Sequence, residues 1–450
     1  MTRPISGPIR ILVDQAVHDH RNKGNNALSE VALDRLGAFW PGATFEALSV
    51  SPHFCRVFLR GAQPVSPYDL RPLRTRLDPL HRFVPAAAWL LLFELREMLP
   101  VRSAGRPAAS AAAEAEVEVD ARAQAEETAV ADGAAAEKER LRRAMAAYDL
   151  YAATGGGYLC DTDKRFLLPM LDRLEAAVDV GVPAVMVGQG VGPMSDPELL
   201  ARCAQVLPRI DYLMIREERA ARPLLESMGV PREKTLMTGD DALELAYRLR
   251  GSGPGAGIGL SLRVNATTAV GDQQVAAIRP VVQRAAERHA APVIAAPISY
   301  YRHEADIVPI AALMRGARRN GSSWRRFEAL PSFIRRIGRC RVMISGTFHA
   351  AAFALGQGIP AIVLARSVEY HDKLAGLAEQ FGAPGGQVIH LNDPQLGGRL
   401  EEAIETAWAA APDIRPRLLA DSERQIALGQ AAYRRIAALV EARRAEKAGV

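Results

Sequence analysis

Short apolar runs alternate with helix-length segments along most of the chain, and that alternation leaves few folds open. "IRILVDQ" (Ile9–Gln15) is followed by a polar Asn/Gly loop and the helix-like "LSEVALDRLGAFW"; "TFEALSV" (Thr44–Val50), "YDLYAATGG", "PAVMVGQGVGP", "YLMIRE" and "KTLMTGDDA" come next. Apolar runs of strand length, each succeeded by a helical segment, are the pattern of parallel βα units. At Arg250–Gly257 the pattern breaks, because "RGSGPGAG" holds four glycines and a proline and reads as an inter-domain linker. It then restarts, with "IGLSLRV", "PVIAAPIS", "RVMISG" and "PAIVLA" as strands. The prediction is an α/β chain of two Rossmann-like domains, residues 1–250 and 258–412, followed by a terminal amphipathic helix, 413–450, able to cross back to the first domain. Ligands of such folds sit at the carboxyl ends of the strands, here between the domains.

Composition narrows the partners. The formal charge of +5 comes mainly from arginines spread along the chain. Clustered basic footprints and interleaved aromatics are missing, which excludes a nucleic-acid partner; diffuse arginine fits an anionic small molecule, or merely coding bias. Cys55, Cys160, Cys203 and Cys340 form no Cys-x-x-Cys pair, so neither a zinc site nor a disulfide framework is expected, and a reducing cytosol is the simplest setting. No metal-ligand cluster is evident either. The N-terminus lacks a signal-peptide core, and "FVPAAAWLLLF" (Phe83–Phe93) is too short to span a bilayer; it reads as a buried helix or an interfacial contact, without stable membrane insertion. Residues 102–143 are dominated by Ala and Glu and hold almost no large apolar residues. They read as a disordered or loosely helical insertion ending in a helix, or as an exposed arm for self-association into a homo-oligomer.

Residues just after the strands are therefore the candidates. In "HDHRNKGNNAL", Asn22, Gly24, Asn25 and Asn26 make a loop able to present backbone N–H groups at a helix N-terminus, while His18 and His20 read as solvated loop residues. Gly155, Gly156 and Gly157 bring bare backbone to the cleft without the spacing of a dinucleotide fingerprint, and "VGQGVGP" (Val187–Pro193) repeats the device as a tight turn. Arg216 and Arg263 end strands of the first and second domain, where a guanidinium can grip phosphate or carboxylate; a surface salt bridge with Glu217 or Glu218 is the plainer role for Arg216. In "RVMISGTFHAAAF", Ser345 and Gly346 turn the chain and His349 falls in the first helical turn. There it can deliver a proton while helix N–H donors hold an anion.

The ordered set of the Asn/Gly loop, Asp149 followed by Gly155–Gly157, "GQGVGP", "IRE", "SLR", "ISGTFHAAAFALGQGIPAI" and "EYHDKLAGLAEQFG" resembles the polysaccharide pyruvyl transferase family. The resemblance implies a glycosyltransferase-B-like fold and a transferase that moves the enolpyruvyl unit of phosphoenolpyruvate onto a saccharide, usually as a cyclic ketal. Phosphoenolpyruvate would be a donor substrate, with no separate cofactor. It makes His349 the acid, Arg216 and Arg263 the donor's grips, and Asn22, Gly24, Asn25, Gly155, Gly156, Gly157, Gly346, Thr347 and Lys373 the surroundings of donor and acceptor. The chain departs from the family at Thr347-Phe348-His349, where Arg-Leu-His is typical, and at Gly24-Asn25-Asn26, where Gly-Asp is common. Two other readings stay open: a nucleotide-sugar-dependent glycosyltransferase of the same architecture, and a non-catalytic relative with the Ala/Glu segment as an interaction arm.

Overall fold

The computed structural model describes residues 7–15, 20–74, 88–89, 135–264, 268, 270–301, 305–316 and 328–449. The first domain is built on an eight-stranded sheet of β1 (Arg10–Asp14), β2 (Thr44–Leu48), β3 (Ala62–Val65), β4 (Leu150–Ala153), β5 (Gly156–Leu159), β6 (Ala184–Val191), β7 (Tyr212–Ile215) and β8 (Thr235–Met237). Their order is β3-β2-β1-β4-β6-β7-β8, with β5 pairing against β6. Its helices are α1 (Lys23–Phe39), α2 (Pro52–Phe58), α3 (135–145), α4 (Lys164–Asp179), α5 (Pro197–Val206), α6 (Ala221–Ser227) and α7 (Ala242–Arg248). The second sheet runs β10-β9-β11-β12-β13, from β9 (Gly257–Ser261), β10 (Val293–Ala295), β11 (Cys340–Ser345), β12 (Ala361–Ala365) and β13 (Gly386–His390). Around it lie α8 (Asp272–Arg288), α9 (Ile307–Leu313), α10 (Leu330–Ile337), α11 (Phe348–Leu355), α12 (Val368–Glu379) and α13 (Leu396–Ala448). Every strand pairing is parallel.

Parallel sheets covered on both faces explain why the strands read as unbroken apolar runs. Along β1, Ile11 and Val13 enter one core and Leu12 the other; along β4, Leu150 and Ala152 separate from Tyr151 and Ala153 in the same way. The strand order reverses between β1 and β4 and again between β9 and β11. Chains leaving such neighbours diverge to opposite faces and open a crevice at the carboxyl ends.

Three strands were not expected from the sequence. β3 contains Pro64, tolerated because it lies at the sheet edge. β5 occupies Gly156–Leu159, within the segment read as a glycine turn, and β13 follows a Gly/Pro loop. The expected turn at Val187–Pro193 is corrected too: β6 continues through Val191, and the chain bends at Gly192, whose φ is +80°. The expected helical reading of Phe83–Phe93 lies outside the described residues except at 88–89, and that of the Ala/Glu segment lies outside them up to residue 134.

The domains share one apolar cluster. Leu28 and Val31 of α1 and Leu243 of α7 pack with Phe333 of α10 and Phe353 of α11. Helix α13 is continuous for 53 residues, so the boundary expected between 412 and 413 falls inside it. Its Leu400 and Ile404 join the core of the second domain, while Tyr433, Ile436 and Val440 are buried against the first. Each such side chain contributes roughly 1.5–3 kcal/mol by leaving water, and the helix ties the two domains together.

Candidate functional site

Between the domains, at the carboxyl ends of both sheets, lies a cavity of about 700 Å³. Eight of the residues singled out from the sequence line it: Asn22, Asn25, Gly157, Arg216, Arg263, Thr347, His349 and Lys373. Tyr158, Cys160, Asp163 and Tyr370 line the same wall region, and Tyr68, Arg165, Phe166, Pro169 and Arg173 form its first-domain side.

His349 stands in the first turn of α11 because β11 ends in a small-residue turn. Gly346 allows that turn to close: a β-carbon there would lie 2.6 Å from Leu262 Cδ1. Ser345 Oγ receives the Thr347 N–H at 3.1 Å, and the Thr347 hydroxyl is 2.7 Å from Ser261 Oγ, so the residue preceding α11 is fixed by strand-end hydroxyls. The imidazole is buried against Gly24. Its Nε2 has no hydrogen-bond partner among the described residues and lies 3.6 Å from Asp240 Oδ2. Burial, and then the positive charges of Arg216 and Arg263, push the His349 pKa well below its ordinary 6.5.

Arg216 leaves the end of β7 and is almost wholly buried. Its guanidinium lies 3.8 Å over the Phe348 ring, and Nη1 is 3.5 Å from Asp240 Oδ2. Its Nε is buried without a hydrogen-bond partner among the described residues. Gly190 makes room for it, since a β-carbon there would sit 2.5 Å from Nη2. Neither of the acids next to it in sequence pairs with it: Glu218 binds Arg222, and Glu217 accepts the Ala220 N–H at 2.9 Å. Arg263 is braced by the buried Asp306, with Nε at 2.8 Å and Nη2 at 3.3 Å. Asp306 Oδ2 in turn accepts the Ile298 and Ser299 N–H groups, both at 2.8 Å.

Lys373 projects from α12 and is buried, with no hydrogen bond or ion pair among the described residues. Burial holds its pKa below 10.5; the opposing influence of Cys160 ranks next. The Cys160 thiol, pushed up by burial, donates to Gly157 O at 3.1 Å. A β-carbon on Gly157 would lie 3.5 Å from Arg216 Nη2 and 3.9 Å from Lys373 Nζ, so the two cations flank this glycine.

Other expected site residues take supporting places. Asn22 Oδ1 accepts the N–H groups of Gly24 and Asn25 at 2.9 and 3.2 Å, and Lys23 N–H bonds Ile298 O at 3.0 Å. These α1 donors are already engaged, a correction to the loop's expected role of presenting them to a ligand. Gly155 and Gly156 are not among the cavity-lining residues; they pack against Gly188 O and the Tyr158 ring. His20, expected to be solvated, is buried at a φ of +60°, and His18 lies outside the described residues. Sequence reasoning passed over Asp240, Asp306, Tyr370 and Cys160. Asp240 could have been found by the same strand-end rule, since it stands three residues after the end of β8. Among the described residues, no group of three or more His, Cys, Asp or Glu side chains is placed to hold a metal ion. Likewise, no described helix is long and apolar enough to cross a membrane.

The wall can therefore seat a compact anion with more than one charge. Two guanidiniums and one ammonium converge on it, alongside an imidazole whose pKa burial and the two guanidiniums hold down.

Among solved structures, the UDP-GlcNAc 2-epimerase from Neisseria meningitidis bound to UDP-GlcNAc matches with a TM-score of 0.50 and 11% identity, over 96% of this chain and 99% of that one. A Listeria monocytogenes protein assigned as a UDP-N-acetylglucosamine 2-epimerase matches with a TM-score of 0.51 and 12% identity, over 92% and 91% of the two chains. At these identities the likeness is one of fold, two Rossmann-like domains in a glycosyltransferase-B-like arrangement. No curated protein matches the sequence. The family described as polysaccharide pyruvyl transferase matches residues 22–368, the segment that carries Arg216, Arg263 and His349 of the cavity wall, with Lys373 just beyond it. The chain belongs to the polysaccharide pyruvyl transferase family.

Proposed function

We propose that this protein transfers the enolpyruvyl unit of phosphoenolpyruvate to a saccharide acceptor in the inter-domain cavity, as a ketal across two hydroxyls. Family membership supports a transferase that modifies polysaccharides. The observation that carries the donor assignment is the convergence of Arg216, Arg263 and Lys373 with His349 on one wall. Phosphoenolpyruvate carries a phosphate and a carboxylate on one small carbon frame, and this set supplies a cation for each. Arg216, lying over Phe348, and Lys373 provide charge beside Thr347, which has none of its own.

The chemistry follows from the donor. Protonation of its methylene carbon makes the methyl group and leaves C2 electrophilic. One acceptor hydroxyl adds to C2 and returns its proton to the acid that gave one up, phosphate departs with the C2–O bond electrons, and a second hydroxyl closes the ketal as its proton passes to the phosphate. His349 is the acid. Burial is the first cause of its depressed proton affinity, and the charges of Arg216 and Arg263 are the other two. An anionic donor between them offsets those charges and raises the imidazole's affinity for the proton it must deliver. The reading requires no metal or other cofactor. The first-domain side, with Tyr68, Phe166 and Arg165, is where the acceptor would lie.

Calorimetric titration of phosphoenolpyruvate into the protein and its Arg263→Ala and His349→Ala variants tests the proposal. Binding that weakens in Arg263→Ala, with turnover abolished and fold retained in His349→Ala, is the expected outcome. Binding of a nucleoside diphosphate and none of phosphoenolpyruvate would replace this reading with a nucleotide-sugar one, and full turnover by His349→Ala would overturn the assignment of the acid.

A further inference from the structure

We infer that Asp240 is the positioning residue for His349, fixing the proton on Nε2 so that Nδ1 is the nitrogen that changes protonation. The inference rests on the reading of His349 as the acid, but its geometry does not depend on which donor binds.

Asp240 follows β8 and its carboxylate is fully buried. Oδ1 is pinned by the Ala242 N–H at 2.9 Å, at the start of α7. Oδ2 is thereby aimed at two groups, Arg216 Nη1 at 3.5 Å and His349 Nε2 at 3.6 Å. Gly24 lies against the face of the ring, where a β-carbon would come within 2.0 Å of Nδ1, 2.2 Å of Cγ and 2.6 Å of Cε1, so it does not cover the Nδ1 edge. Phe348 and Phe353 bound the ring further, with centroids 5.7 and 6.3 Å away. Nε2 is itself buried, with no hydrogen-bond partner among the described residues, and Asp240 Oδ2 is the carboxylate oxygen it faces.

A neutral imidazole keeps one N–H, and the hydrogen bond available to each nitrogen decides which. A carboxylate oxygen opposite Nε2 favours hydrogen there. The remaining charged or titratable groups around the ring act differently. Arg216 from β7 and Arg263 from β9 oppose its protonation, Tyr370 and Lys373 reach the cavity from α12, and at the start of α1 Lys23 bonds Tyr300. Asp240 is the acid in ion-pair range of the imidazole, the role by which a buried carboxylate orients a histidine and supports its cationic form. A contraction of a few tenths of an ångström on ligand binding brings the 3.6 Å separation into hydrogen-bond range.

The test uses full-length protein labelled with ¹⁵N-histidine. The His349 imidazole signals are identified by their loss in His349→Ala, and tautomer and midpoint are read across pH without any donor. The wild type is expected to carry the Nε2–H tautomer, with Asp240→Asn shifting it towards Nδ1–H and lowering the midpoint. An Nδ1–H tautomer in the wild type overturns the inference and needs no variant to fold; identical His349 signals in a folded Asp240→Asn protein overturn it as well. Steady-state kinetics supply a second readout: kcat should fall roughly 100-fold in Asp240→Asn, with the donor KM changing far less. Because the tautomer is read without donor, its failure is distinct from a failure of phosphoenolpyruvate to bind.

Discussion

The imidazole of His349, from the second domain, rests on the Cα of Gly24, from the first: a β-carbon at position 24 would stand 2.0 Å from Nδ1 and 2.2 Å from Cγ. Gly24 is thus the floor on which the histidine lies, although it is not itself a cavity-lining residue.

Gly24→Ala must displace this ring, since helix α1 is held by its Asn22 cap and by Leu28 and Val31 in the shared core. Misplacing a catalytic group by about an ångström costs on the order of 100-fold in rate. We expect that loss in kcat with the thermal midpoint little changed, because alanine suits a helix better than glycine. Wild-type turnover in the alanine variant would show that the ring is not seated there during the reaction.

Phe348 supports Arg216 through the face of its ring, 3.8 Å from the guanidinium carbon. A desolvated cation–π contact is worth about 2 kcal/mol. Phe348→Leu should therefore weaken phosphoenolpyruvate binding by roughly 10- to 30-fold in calorimetry, whereas Phe348→Tyr keeps the ring and most of the affinity. Equal affinities in all three proteins would mean that Arg216 needs no shelf.

What the sequence disclosed and what it hid have a common physical cause. Strand ends were legible because buried parallel strands are apolar throughout, and Arg216, Arg263 and His349 followed from asking what stands after them. Burial of an acid leaves no such mark. Asp240 sits beside Asp241 in "TGDDAL", where both are buried, and Glu217 beside Glu218 in "IREERA", where only Glu217 is; nothing in either string marks which acids the packing encloses. Glycine was legible as freedom, not as space: Gly24 and Gly190 matter for the side chains laid against them. The shared cluster was hidden as well, because the apolar faces of α1 and α7 serve equally for packing on their own sheet.

Lys373 is a buried ammonium without an ion-pair partner among the described residues, and burial depresses its pKa. Under the proposed function, a charge kept in so costly a place serves the donor rather than the fold. Lys373→Met, similar in length and apolar, is expected to melt at the same temperature as the wild type or higher, while phosphoenolpyruvate affinity falls at least tenfold. A destabilised variant with unchanged affinity would assign the lysine to structure instead.

Asp240 and His349 make opposite demands on the pH dependence of folding. Burial raises Asp240 from 3.8 to about 6, Arg216 opposing, so the folded protein binds its proton more tightly than the unfolded chain. That contribution is complete below pH 3.8 and is lost as pH rises through about 6. His349 is displaced the other way: its contribution is present above 6.5 and is lost as pH falls through its lower folded value. The wild-type curve between pH 4 and 6.5 is the compromise of the two. Asp240→Asn removes one side of it. Whatever the variant's stability at pH 4, its stability relative to the wild type should rise towards pH 7, by up to about 3 kcal/mol if the whole displacement is recovered. Urea unfolding of both proteins at several pH values measures that difference. A flat difference would mean that Asp240 ionises as readily as an exposed carboxylate, and that Arg216 supplies all the compensation its burial requires.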